Sequence, residues 1–233
     1  MNRAPAYAAA ALALTLSFGA AAEVQNRAVS GFSGVRLSVP AKMELIQGPS
    51  ESMTIEGAAE DLAKVETVVE DGVLHIRTQS KSNWNWNPKF RITVNAKSIE
   101  SLAISGSGDI VAKSLKSGSL KLAISGSGNI QISSLEADSA VVAISGSGDV
   151  SLAGRAGTVS SNISGSGDLK ASKLEARNVT VSIAGSGDVA VWAREALQAR
   201  IAGSGDVRYY GDPSVEKRIT GSGSVKRLGP SPG

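Results

Sequence analysis

From residue 100 onward, apolar positions return at a fixed long period. A Gly-Ser-Gly triplet recurs at Gly106, Gly126, Gly146, Gly165, Gly185, Gly203 and Gly221, with spacings of 20, 20, 19, 20, 18 and 18 residues. Two residues before each triplet stands an isoleucine: Ile104, Ile124, Ile144, Ile163, Ile183, Ile201 and Ile219. Past the polar residue that follows the triplet, Ile110, Ile130, Val150, Leu169, Val189, Val207 and Val225 form a second column. Leu102, Leu122, Val142 and Val181 precede the isoleucines by two, which is the alternation of a strand with one face buried. Short β-branched pieces bounded by Gly and Ser read as strands, and no unit carries a long stripe of helical period. A unit of this length cannot bury its own apolar side. Stacking units about 4.8 Å apart lets each strand pair with its neighbours and lets like residues stack inside. The pattern predicts an all-β fold: a right-handed, single-stranded parallel β-helix, or solenoid, of about seven coils of 18–20 residues over residues 100–228. The glycines allow backbone torsions closed to other residues, so the chain can turn at each triplet.

Residues 23–99 lack the triplet but alternate as strands do. Val35-Arg36-Leu37, Met43 with Leu45, Met53 with Ile55, Leu74-His75-Ile76-Arg77, and Phe90, Ile92 and Val94 are the candidates. Residues 58–65 suit one short helix, and Asp71-Gly72 is a strong turn signal. This β-rich segment is expected to cap the solenoid, because terminal repeats are atypical. Residues 229–233, rich in Pro and Gly, are expected to be a disordered tail.

Composition alters this picture at the N-terminus. Arg3, the apolar run from Ala8 to Phe18 and the small residues Ala20-Ala21-Ala22 read as a signal peptide over residues 1–22. The chain is therefore expected to be exported, to the periplasm or the exterior. The run is too short for a transmembrane anchor, and no later stretch supplies a transmembrane segment. With no Cys, the fold uses neither disulfides nor thiol chemistry. Twenty-four basic against 21 acidic residues is a small imbalance, which gives no reason to expect a nucleic-acid partner.

Gly31-Phe32-Ser33-Gly34-Val35, Leu45-Ile46-Gln47-Gly48, Glu70-Asp71-Gly72-Val73-Leu74-His75-Ile76 and the serial Ile-Ser-Gly-Ser-Gly-Asp/Asn units carry a resemblance. The chain resembles the bacterial family described as the head GIN domain of autotransporter adhesins. The resemblance covers nearly all of the chain after residue 22. It implies a right-handed β-helix and an envelope or secreted location, and it brings no catalytic residues with it.

The column Asp109, Asn129, Asp149, Asp168, Asp188, Asp206 follows the triplets, and Ser224 ends it. Stacked in register, Asp149, Asp168, Asp188 and Asp206 would stand roughly 5 Å apart. One reading makes them turn caps that accept backbone N–H bonds, a task Ser performs too. The other makes them a metal ladder, because Gly-Ser-Gly-Asp-apolar is similar to half of a calcium-binding nonapeptide repeat. Calcium takes 6–8 oxygens, more than one Asp per coil supplies, so no cofactor is expected.

Trp84-Asn85-Trp86 breaks the strand pattern. Its two indoles are candidates for ligand binding, since exposed Trp stacks on sugars or anchors a partner. A cap folded over the end of the solenoid is the competing reading. Tyr209-Tyr210 raises the same question. His75 is the only histidine and is expected to be exposed. There are no nucleophile–base groupings and no phosphate-binding loop. Coils of nearly constant length, with no long insertion from which to build a cleft, argue against an enzyme. The expected function is a binding or structural module of the cell envelope, adhesin-like, whose partner is an unidentified envelope glycan or protein. A carbohydrate-active β-helix enzyme and a self-associating envelope scaffold are the alternatives, and a homo-oligomer is left open.

Overall fold

The computed structural model describes residues 22–79 and 90–233. The expected signal peptide, apart from Ala22, and the Trp84/Trp86 pair lie outside the described residues.

The repeat region is a β-solenoid. Strand β8 (Ser101–Gly106) ends in the first triplet, and β9 (Asp109–Ala112) starts just beyond it. Five long strands follow: β10 (Leu115–Gly126), β11 (Asn129–Gly146), β12 (Val150–Gly165), β13 (Leu169–Gly185) and β14 (Val189–Gly203). Then come β15 (Asp206–Tyr210), β16 (Ser214–Gly221) and β17 (Ser224–Gly229). Each pairs in parallel with the strand one coil away, so Ile124 faces Ile144, Ile144 faces Ile163, and Ile163 faces Ile183. The columns read from the sequence are thus real stacks.

The long strands bend, and burial shows where. In β11 the in–out alternation breaks at the polar pairs Ser133-Ser134 and Asp138-Ser139, and it breaks again at the triplet. These corners divide each coil into three walls. Wall A ends in the isoleucine before the triplet. Wall B begins at the Asp after it. Wall C is a short piece such as Leu135–Ala137. Differences in coil length are absorbed mainly between walls B and C, where the register shifts past Ile132, Ser151 and Ala171, and once between walls C and A, past Ala176. The Gly-Ser-Gly corner never shifts.

Residues 22–99 form β1 (Ala22–Arg27), β2 (Gly34–Leu37), β3 (Ala41–Gln47), β4 (Ser52–Ala58), the single-turn helix α1 (Ala59–Leu62), β5 (Val65–Glu70), β6 (Val73–Thr78) and β7 (Phe90–Ala96). The Asp71-Gly72 turn joins β5 to β6 with positive φ at both residues (49° and 74°), which matches a tight hairpin. This segment does more than cover an end. Strand β2 pairs with β6 on one side and β8 on the other, and β3 pairs likewise with β7 and β9. It therefore supplies two coils, stacked out of chain order: β6–β7, then β2–β3, then β8–β9. The outermost layer is antiparallel, with β5 against β6, β4 against β7 and β1 against β4.

One continuous core of aliphatic side chains runs from Phe32 to Val207. Among the described residues a single polar one, Ser161, is wholly buried in it. Ser161 stands between Val142 and Val181 in an interior column, and its hydroxyl has no hydrogen-bond partner. His75 lies outward but is half-buried, because β2 and β5 flank it and Glu70 lies 3.9 Å from its Nε2.

Candidate functional site

The triplet corner is built by close backbone approach. Gly146 has φ 128°, and a Cβ there would fall on the carbonyl oxygen of Gly126. A Cβ on Gly148 would strike the carbonyl oxygen of Gly128 and lie 2.7 Å from Cγ2 of Ile124. The first glycine is needed for its torsion and for space, and the second for space alone. In return, Ser147 N–H and Gly148 N–H both donate to the Gly126 carbonyl, at 2.9 and 3.2 Å. This bond pattern recurs along the stack, at Ser166 to Gly146, Ser186 to Gly165 and Ser204 to Gly185.

Wall B opens with the Asp column, and the column caps backbone between coils. The N–H of Asp168 donates to Asp149 Oδ1 (3.1 Å), that of Asp188 to Asp168 Oδ1 (2.9 Å) and that of Asp206 to Asp188 Oδ1 (3.0 Å). Asn129 caps Asp149 in the same way, and Asp206 caps Ser224 (2.9 Å). The remaining oxygens meet cations of the same wall. Lys170 bonds Asp149 and lies 4.0 Å from Asp168, while Arg208 lies 3.1 Å from Asp188 and 3.6 Å from Asp206. The hydrogen bond that Lys170 donates to Asp149 raises its ammonium above the ordinary value. Hydrogen bonds from the Ser224 hydroxyl and N–H, with Arg208 nearby, hold the Asp206 carboxyl below the usual range. A cation ladder would have to displace these partners. Among the described residues, no three His, Cys, Asp or Glu side chains gather in a group able to hold a metal ion.

Wall C is charged in alternating sign. Lys116, Glu136, Arg155 and Glu175 face one another coil by coil, and Arg194 completes the run by pairing with Glu175. Lys116 meets Glu136 at 2.9 Å, and that bond raises its ammonium above the ordinary value. Opposite charges directly across a strand pair stabilise, and like charges destabilise, so this column favours one register.

Wall A differs from both. Over three consecutive coils, residues 139–146, 158–165 and 178–185 contain no charged side chain. Their outward positions are small: Val141, Ala143 and Ser145 in one coil, Ser160, Asn162 and Ser164 in the next. With the coils before them they line a shallow open groove along the stack. The Ser139 hydroxyl donates to that of Ser119 at 3.1 Å.

Trp84 and Trp86 lie in the chain between Thr78, the end of β6 in wall A, and Phe90, the start of β7 in wall B. Eleven residues separate these strands, where the coils from β8 onward have Gly-Ser-Gly between walls A and B. Tyr209 and Tyr210 are half-buried, Tyr209 packing on the core. The sequence reading missed Trp192. It pairs with Tyr210 on the coil below, is half-buried, and has an indole N–H buried without a partner. Its signal was present, as the one ring in the otherwise aliphatic run Val189–Ala193.

A family model described as "Putative auto-transporter adhesin, head GIN domain" matches residues 31–213. Among solved structures, the chain is 25% identical to a putative adhesin from Bacteroides fragilis, with a TM-score of 0.85 over 90% of this chain and 98% of that one. It is 26% identical to a putative lipid binding protein from Parabacteroides distasonis, with a TM-score of 0.73 over 89% and 96%. A putative adhesin from Parabacteroides merdae, at 22% identity and TM-score 0.71, shares the fold over 89% and 96%. No curated protein matches the chain significantly in sequence.

Proposed function

From the premise that the chain belongs to the auto-transporter adhesin head GIN domain family, we propose that it is an exported, non-enzymatic binding module of the cell envelope, adhesin-like, that presents wall A to its partner. One observation carries this reading: the surface is divided. Walls B and C spend their charges on each other across the coils. Over its three middle coils wall A offers an uncharged, flat, regularly spaced array of hydroxyl, amide and methyl groups that forms no such network, with charges such as Arg36, Lys121 and Arg200 only in the flanking coils. Repeated polar groups about 4.8 Å apart suit a long neutral partner lying along the stack, and a glycan chain has that form. An enzyme reading draws little support from the described residues, because the Asp column of wall B already holds partners across the coils. Export rests on the expected signal at residues 1–22. Trp84 and Trp86, in the sequence that links wall A to wall B between β6 and β7, join the proposal as a second contact. The relative titled a lipid binding protein adds lipid to the partners worth testing.

The test is retention of the purified protein on intact cells, envelope fractions, a glycan panel and lipid vesicles. It compares the native chain with two variants, Ala143→Glu/Asn162→Lys on wall A and Trp84→Ala/Trp86→Ala. Retention lost with the wall A variant establishes the site. Retention lost only with the Trp variant moves it to that link. Equal retention of all three, or none, overturns the reading.

A further inference from the structure

Among the described residues, strands β16 and β17 pair on one side only, with β14 and β15, which leaves their other edges open. At the opposite end, again among the described residues, β5 pairs only with β6, and β1 only with β4. An open strand edge is a template for another strand. We propose that two copies of this chain dock head to tail, the C-terminal coil of one against the N-terminal layer of the next. Topology allows it, because β5 and β16 are the first and last strands of the same wall A, so one wall would run on from copy to copy.

Charge selects the occupant. Residues 214–229 carry Lys217, Arg218, Lys226 and Arg227 against Glu216 alone, and residues 59–72 carry five acids against Lys64 alone. Arg77 takes up Glu66 and Glu70 but leaves Glu60 and Asp71 exposed. The interior columns point the same way. Lys217 lies under buried Ala199, and Arg227 under Tyr209, so cations end stacks that are apolar elsewhere except at Ser161. Lys217 meets no carboxylate among the described residues, whereas Arg227 is tied to Asp212 and to the Gly211 carbonyl. An apolar strand laid over this end would strand two cations, and a second C-terminal end would repel it. An edge bearing carboxylates does neither. Val215, Ile219 and Leu228, exposed between the cations, would then be covered. A head-to-tail contact does not close on itself, so the product is a linear chain of copies.

The proposal is independent of the wall A reading and fails separately from it. Sedimentation equilibrium of the purified protein tests it over a wide concentration range, in about 0.02 M and about 0.5 M salt, because screening weakens exposed charge pairs. The expected result is a mass that rises with concentration in low salt and falls toward one chain in high salt. Arg218→Glu/Lys226→Glu, both exposed, should weaken association by at least about tenfold with an unchanged melting transition. Mixing that variant with Glu60→Lys should restore it, since each reversed end then meets its complement. If the double variant does not fold, Glu60→Lys alone must show the same weakening. A single-chain mass at every low-salt concentration overturns the proposal, and so does association that charge reversal leaves intact.

Discussion

At the N-terminal end of the stack, antiparallel β4 and β5 lie over β7 and β6, and Leu74, Ile76 and Ile92 beneath them are sealed from water. At the C-terminal end no strand among the described residues lies over β16 and β17, and Val215 and Ile219 keep 39% and 36% of their surface exposed. The residue types are alike; only the cover differs. In a solenoid, burial is conferred by the next coil rather than by the wall to which a residue belongs. Each coil's contribution therefore depends on its place in the stack, and identical substitutions should cost different amounts along it.

The largest contrast is expected at the glycine corners. Gly146→Ala puts a Cβ on the Gly126 carbonyl at a φ of 128°, with coils packed on both sides. A loss of about 3–5 kcal/mol is expected from combined strain and clash. Gly221→Ala meets the Gly203 carbonyl in the same way, at a φ of 123°, but its coil is last and free to lift, so a much smaller loss is expected in the same urea melts. Equal losses would mean that the last coil is as firmly held as the middle.

The isoleucine column gives the next contrast. Ile144→Ala should cost about 3–4 kcal/mol, as for a buried side chain with its cavity, against about 1 kcal/mol or less for Ile219→Ala. Ser161→Val has the opposite sign. It replaces an unpartnered buried hydroxyl between two valines with a third, and should stabilise by about 1–2 kcal/mol if the column accepts the added volume.

The smallest effect is confined to the open end. Asp206 has its carboxyl lowered by Ser224 of the last coil, so its bonds stabilise above the ordinary carboxylate range and are lost as the pH falls through the lowered value. Amide exchange of Val225–Arg227, corrected for the intrinsic pH dependence, should lose protection in acid before wall A of β12 does. Simultaneous loss would show that the carboxyl does not hold the last coil.

The repeat was legible because stacked coils share one register, so the Ile and Gly columns recur at a period a reader can measure. The Asp column was legible as capping, but its span was not: a turn signal is local, while Asp149 caps an N–H nineteen residues on. The N-terminal order was hidden more deeply. Gly34 pairs with Ser101, and the corner at Ser38-Val39-Pro40 turns without the triplet, so no period announces that β2–β3 lies between two later coils. The division of the walls was visible only once register placed Lys116 beside Glu136 and Asn162 beside Ala143.

The corner bonds have a direction. The N–H of Ser147 reaches back to Gly126, and that of Asp168 reaches back to Asp149; at these positions the later coil donates to the earlier one. A finished coil thus presents carbonyl and carboxylate acceptors to chain that has not yet arrived. A polypeptide emerging N-terminus first from a narrow export pore could add coils one at a time onto a template already set, each new rung holding the last segment against slipping back. Growth of the solenoid would then be polar, like that of a crystal fed from one face, and the strands that close the N-terminal end would be the seed from which it starts.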